Sequence, residues 1–297
     1  MPTITPVLRP LNIADLIDAS VRLYRANFTS FLGITAVVYG PLAAVQIVFA
    51  FFAANWAEKG ALDKVDDPLA MLTMLSPLLL VGGVFGLLTL LLVPLGQGAL
   101  TAAVSHRYLG RTLTVTEAYE ALKDCWGSLI GATILVGLLT AVGMMLCIIP
   151  GIYIAVTLML VAPVIVLEGA TVNNSFARSR WLVQGEWWHC FGTIVLLSLI
   201  VGIVASAVSW PISMIAALLL QDHPALGQAL SQGVGAVAGL IVQPVQIIGL
   251  VLLYYDLRIR KEGFDLKLLA ESLGEEAPVM PAKLELPPPP PPPPYAR

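Results

Sequence analysis

Apolar and charged positions alternate along this chain in long blocks. Uncharged runs occupy residues 26–57, 68–105, 125–167, 187–221 and 224–255, and short charged stretches separate them. Each run reaches the roughly 20 residues that a helix needs to cross a bilayer. The run at 125–167 covers 43 positions. As one helix it would measure roughly 65 Å, against a hydrocarbon core of about 30 Å. Two helices fit if the chain turns midway, where "CIIPGIY" places Pro150 and Gly151. Proline removes a backbone donor and ends a helix, and glycine supplies the positive φ of a tight turn. The pattern therefore predicts six membrane-spanning helices near 30–54, 78–104, 128–148, 152–168, 189–218 and 231–255, with both termini on one side. Phe28, Trp56, Trp126, Trp187, Trp188, Tyr254 and Tyr255 fall at the predicted ends, where amphipathic rings settle.

A second periodicity precedes every odd-numbered span. The segments "LNIADLIDASVRLYRANFTSFLG", "LTVTEAYEALKDCWGSLIG" and "ATVNNSFARSRWLVQGEWWHCFG" resemble one another. The first and third align without gaps, Ile13 over Val172, Ile17 over Phe176, Phe28 over Trp187 and Gly33 over Gly192. Helical stripes run through them: Ile13, Ile17, Val21, Tyr24 and Phe28; Val115, Tyr119, Leu122 and Trp126; Val172, Phe176, Val183 and Trp187. Asn12, Thr114 and Thr171 stand at N-cap positions, and "TVTE" at Thr114 has the form of a capping box. The expected fold is all-α: three two-span hairpins, each preceded by a cytoplasmic amphipathic helix. Those helices lie either in the membrane interface or beneath the bundle as a collar.

Composition agrees with this class and charge orients it. Hydrophobic residues make up 58% and charged residues 12%, an apolar excess beyond what a soluble core absorbs. Fourteen of the sixteen Lys and Arg fall on the side of the termini; only Lys59 and Lys64 fall opposite. Basic loops stay cytoplasmic, so both termini are expected in the cytoplasm of a bacterial plasma membrane. The charged N-terminal stretch carries no signal-peptide pattern, so the first apolar segment is expected to stay as an anchor. Cys125, Cys147 and Cys190 are too scattered for disulfides or zinc pairs. The membrane domain is expected over 1–276, including a short amphipathic helix around Leu266, Leu269 and Ala270. Residues 277–297, with eight consecutive prolines, read as a disordered proline-rich tail.

Candidate chemistry is sparse. No ionisable residue lies inside a predicted span, where ion and proton pathways usually place one. The mid-span amides Gln97, Gln243 and Gln246 are the candidates for a polar cavity, and Gln46 is a further mid-span amide. Arg178, Arg180, Arg258, Arg260 and Lys261 are the candidates for contact with anionic lipid head groups or a partner protein. His106, His189 and Glu168 all fall near the cytoplasmic border and form the weakest set, a hydrolase or metal site without ligand spacing. No catalytic residue, metal or cofactor is expected, nor nucleic acid as a partner.

The "LRPLNIADLIDASVRLYRANF" start, the "IIPGIYIAVTLMLVAPVIVLEG" hairpin with "SFARSRWLVQGEWW", and the "YYDLRIRKEGFDL" exit resemble the bacterial glycerophosphoryl diester phosphodiesterase membrane-domain family over about residues 8–273. The resemblance implies a six-helix bundle. The phosphodiesterase domain that gives the family its name is not carried over, because only a short charged segment and the proline-rich tail follow the last span. The expected function is a non-enzymatic plasma-membrane protein that organises lipid or partner proteins. A carrier or channel for a lipid-like or small neutral solute, and a membrane-bound lipid hydrolase, are the competing readings.

Overall fold

The computed structural model describes residues 11–58 and 68–263. The proline-rich tail and the helix expected around Leu266 lie outside the described residues. The described residues form ten helices in order: α1 Ile13–Ala26, α2 Phe28–Glu58, α3 Pro68–Tyr108, α4 Val115–Glu120, α5 Trp126–Leu146, α6 Ile148–Leu158, α7 Val161–Glu168, α8 Val172–Val183, α9 Trp187–Leu219 and α10 Pro224–Glu262. No strand occurs among the described residues. Among the described residues six segments are long and apolar enough to cross a membrane: α2, α3, α5, α6 with α7, α9 and α10. The chain is thus an all-α membrane protein.

Four long helices set the frame. Gln243 and Gln232 of α10 meet Tyr39 and Gln46 of α2, and Gln246 meets Ser198 of α9. Ser105 of α3 bonds Tyr255 of α10, and Gly96 of α3 faces Val38 of α2. Each pairing with α10 or α3 climbs one helix as it descends the other, except α3 with α10, which run parallel. Glycine permits the close approach of α9 and α10: a Cβ on Gly249 would run into Leu197. Exposed apolar side chains form a belt over residues 37–52 of α2, 79–91 of α3, 195–219 of α9 and 226–241 of α10. The α9 part alone spans about 36 Å, enough for the hydrocarbon core.

The packed core lies beyond this belt, at the end where the charges collect. α10 is almost wholly buried from Pro244 to Ile259, against α1, α3, α7, α8 and α9. α1 buries Leu16, Ser20, Leu23 and Tyr24, a face displaced from the Ile13, Ile17, Val21 stripe, which is only partly buried at its edge. Tyr24 donates its hydroxyl to the Ile241 carbonyl. α4 carries the capping box: Glu117 accepts the Thr114 N–H at 2.7 Å and returns its own N–H to Thr114 Oγ1 at 3.3 Å. Those bonds hold the exposed Glu117 carboxyl below the ordinary carboxylate range. Asn12 and Thr171 make no side-chain cap bond.

The third and fourth apolar segments depart from the expected hairpin closing at the far surface. The turn is a single extended residue, Cys147, at φ −168° and ψ 145°. Pro150 and Gly151 lie within α6, because proline is tolerated in a first helical turn where its N–H has no partner to lose. Gly151 serves close approach instead: a Cβ there would stand 2.6 Å from the Met144 nitrogen. Depth is fixed by three contacts. Ser179 of α8 donates to the Thr157 carbonyl at 2.8 Å, Tyr153 stacks on Trp187 with centroids 6.0 Å apart, and Leu139 shares a cleft with Arg180, Gln184 and Gly185. All of these partners belong to the charged end. A crossing α5 would put Leu139 about 20 Å below Trp126 instead. α5 starts beside Gly98 of α3, where Leu129 packs, and runs across the charged end toward the α8–α9 turn. Its tip is bare: Met145 is 91% exposed and Ile149 76%.

The repeat explains part of this. Gly33 of α2 receives Val115, the first residue of α4, and Gly192 of α9 receives Ile13, the first residue of α1. In the middle unit the corresponding Gly131 has open space beside it.

Candidate functional site

Three polar constellations stand out, and helix periodicity builds the first. Residues four apart share a face, so Tyr254, Arg258 and Glu262 of α10 point one way and Asp256 and Arg260 another. On the first face, Glu168 accepts Arg178 Nε and Nη2 at 3.0 Å and the Tyr254 hydroxyl at 2.7 Å. Arg178 also pairs with Glu262, which takes Arg258 Nε at 2.9 Å. On the second face, the Asp256 carboxylate is fully buried. It accepts the Leu11 N–H at 2.7 Å and Arg260 Nε at 2.8 Å. His189 Nε2 lies 3.3 Å from it without the alignment of a hydrogen bond. Arg260 donates onward to the Leu11 carbonyl at 2.8 Å. Lys261 donates to the carbonyls of Trp181 and Gln184 and sits over the Trp181 ring.

Four of the five cations expected at lipid head groups are therefore occupied by the protein itself. Arg178, Arg258, Arg260 and Lys261 tie α7, α8, α10 and the segment leading into α1 into a clamp. Buried charges persist only when paired and hydrogen-bonded, and here the partners are at hand. Tyr254 and Tyr255, expected as border aromatics, are buried because their hydroxyls bond Glu168 and Ser105.

The second constellation lies inside the bundle. Gln243 donates to the Tyr39 hydroxyl at 2.9 Å, and Gln97 bonds the same group. Gln46 and Gln232 approach to 3.5 Å. Tyr39, Gln46, Thr89, Gln232 and Gln243 line a cavity of about 320 Å³ between α2, α3 and α10. Gln246 does not join them; it faces α9 and donates to Ser198 at 3.1 Å. Sequence reasoning named Gln97 and Gln243 but missed Tyr39 as their meeting point, which no spacing announces.

The third is a cleft of about 440 Å³ between the α5–α6 hairpin and the α8–α9 turn. Arg180 lines it, is exposed, and has no ion pair or hydrogen-bonded side-chain partner among the described residues.

The hydrolase set does not assemble around a shared point. His106 on α3 bonds the Ala102 carbonyl of its own helix, His189 on α9 faces Asp256, and Glu168 on α7 holds Arg178. Among the described residues no group of three His, Cys, Asp or Glu is placed to hold a metal.

No curated protein and no solved structure matches the chain. Residues 125–257, less than half of it, match the family model of a domain of unknown function, DUF7847, a stretch that runs from the start of α5 to the residue after Asp256 and stops short of Arg258, Arg260 and Lys261.

Proposed function

We propose that this is a non-enzymatic multi-pass protein of a bacterial plasma membrane, with both termini cytoplasmic, that organises lipid or partner proteins at the cytoplasmic surface. In this reading α2, α3, α9 and α10 cross the bilayer. The α5–α6 hairpin lies along the cytoplasmic leaflet and dips its apolar side into it. The observation that carries the reading is the bare apolar tip at Met145 to Ile149 on a hairpin that Tyr153 and Thr157 anchor to Trp187 and Ser179 at the charged end. A contiguous exposed apolar tip requires lipid or a partner against it.

Native mass spectrometry of the protein released from a mild detergent tests the reading. Retained phospholipid or a bound protein partner is the expected result; a retained small polar solute would overturn it. That second outcome belongs to a carrier, favoured by the Tyr39 cavity. Replacing Tyr39 by Phe would then abolish solute retention, since Gln97 and Gln243 lose their common partner.

A further inference from the structure

The cleft between the hairpin and the α8–α9 turn gathers donors without a balancing carboxylate. Arg180 contributes a guanidinium that the described residues leave unpaired. The Trp187 indole N–H and the Thr157 hydroxyl are both buried without a hydrogen-bond partner. Gly185, held at φ +86°, keeps its N–H out of the turn's backbone bonds, which run from Gln184 to Arg180 and from Glu186 to Val183. Among the described residues no acidic side chain lines the cleft. Buried unsatisfied donors are costly, and a group of them beside a free guanidinium fits an anion with several acceptor oxygens. The opposite wall is apolar, Leu139 and Tyr153, and it continues into the bare hairpin tip.

We propose that this cleft holds one anionic phospholipid, its phosphodiester on Arg180 and the Gly185 and Trp187 N–H groups, and one acyl chain along Leu139 and Tyr153. This rests on the reading of the hairpin as lying in the cytoplasmic leaflet. The ligand is a membrane lipid and not free phosphate, because an inorganic ion would leave the apolar wall uncovered. Arg180 is set apart from the other four basic residues by what it lacks: each of those already has an acceptor within the protein.

The test titrates the purified full chain in neutral-lipid nanodiscs with phosphatidylglycerol against phosphatidylcholine, reading lipid adducts by native mass spectrometry. The wild-type protein is expected to prefer phosphatidylglycerol. Arg180→Ala should weaken that preference about tenfold or more, and Trp187→Phe, which keeps the ring and removes the donor, by a few-fold. Arg22→Ala, on an exposed i,i+4 pair with Asp18, should leave it unchanged. A preference that survives Arg180→Ala, or that falls equally in Arg22→Ala, overturns the proposal, as does equal displacement by millimolar inorganic phosphate. Lipid adducts without head-group preference would sink this inference and leave the proposed function standing; absence of lipid altogether, with a polar solute bound, would sink both.

Discussion

Asp256 is the residue whose loss should cost the fold most. Its carboxylate is fully buried, accepts a backbone N–H from Leu11 and a charged Nε from Arg260, and has His189 at 3.3 Å. Replacing it with Ala leaves the Leu11 N–H unbonded and Arg260 without its counter-charge. Removing one partner of a buried pair costs about 3–5 kcal/mol. Arg260 is 25% exposed, so water recovers part of that, and about 2–4 kcal/mol is expected, a factor of roughly 30 to 1000 in the folding equilibrium. Asp256→Asn keeps an acceptor for Leu11 and should lose about half as much. Asp18→Ala is the control, because Asp18 and Arg22 are 62% and 65% exposed and such pairs contribute under about 0.5 kcal/mol. Reversible unfolding in mixed micelles by SDS, followed by far-UV circular dichroism, measures all three. If Asp256→Ala stays within about 0.5 kcal/mol of the wild type, the clamp is not what joins the start of α1 to α10.

Further outcomes follow from the packing. Gly151→Ala should destabilise by about 1–3 kcal/mol, since its Cβ meets the Met144 backbone; the same SDS titration reads it. Gly249→Ala should cost a similar amount, and combining it with Leu197→Ala should cost less than the two single changes together, because Leu197 is the obstructing side chain. Glu117 titrates below its ordinary 4.5 in the folded chain. The cap therefore contributes fully above that value and is lost as pH falls through the depressed one, so hydrogen exchange at the first amides of α4 should accelerate there.

What the sequence made legible was set by physics that acts locally. Uncharged runs had to become apolar helices because lipid satisfies no backbone group, and "TVTE" formed its capping box from residues three apart. Long-range choices were not legible. That α1 buries Leu16 and Ser20 rather than Ile13 and Ile17 depends on where α10 lies, which no stripe encodes. Pro150 and Gly151 looked like the hairpin turn, yet the chain turns at Cys147 and spends the glycine on contact with Met144. Proximity in sequence did not reveal the pairing of the basic residues: Arg258 and Arg260 meet Glu262 and Asp256 four positions away and Arg178 meets Glu168 ten away, but the Leu11 and Trp181 backbone groups that complete the network are 249 and 80 residues from Arg260 and Lys261. A visible hint did exist in Asp256, an acid directly abutting an apolar span with Arg260 one turn on.

In the proposed arrangement the α5–α6 hairpin stays at the charged end and does not cross the bilayer. Cys147 stands at its turn and is exposed, whereas Cys190 is buried, so with Cys125→Ser and Cys190→Ser the native thiol reports alone. Oriented inner-membrane vesicles and intact spheroplasts would be treated with a membrane-impermeant maleimide, with solubilised protein as the full-labelling reference. Labelling of Cys147 from the cytoplasmic side, or only after solubilisation, is the result expected of a hairpin held at the charged end. Labelling in intact spheroplasts, from the outer side, would contradict it and restore a hairpin that spans the bilayer.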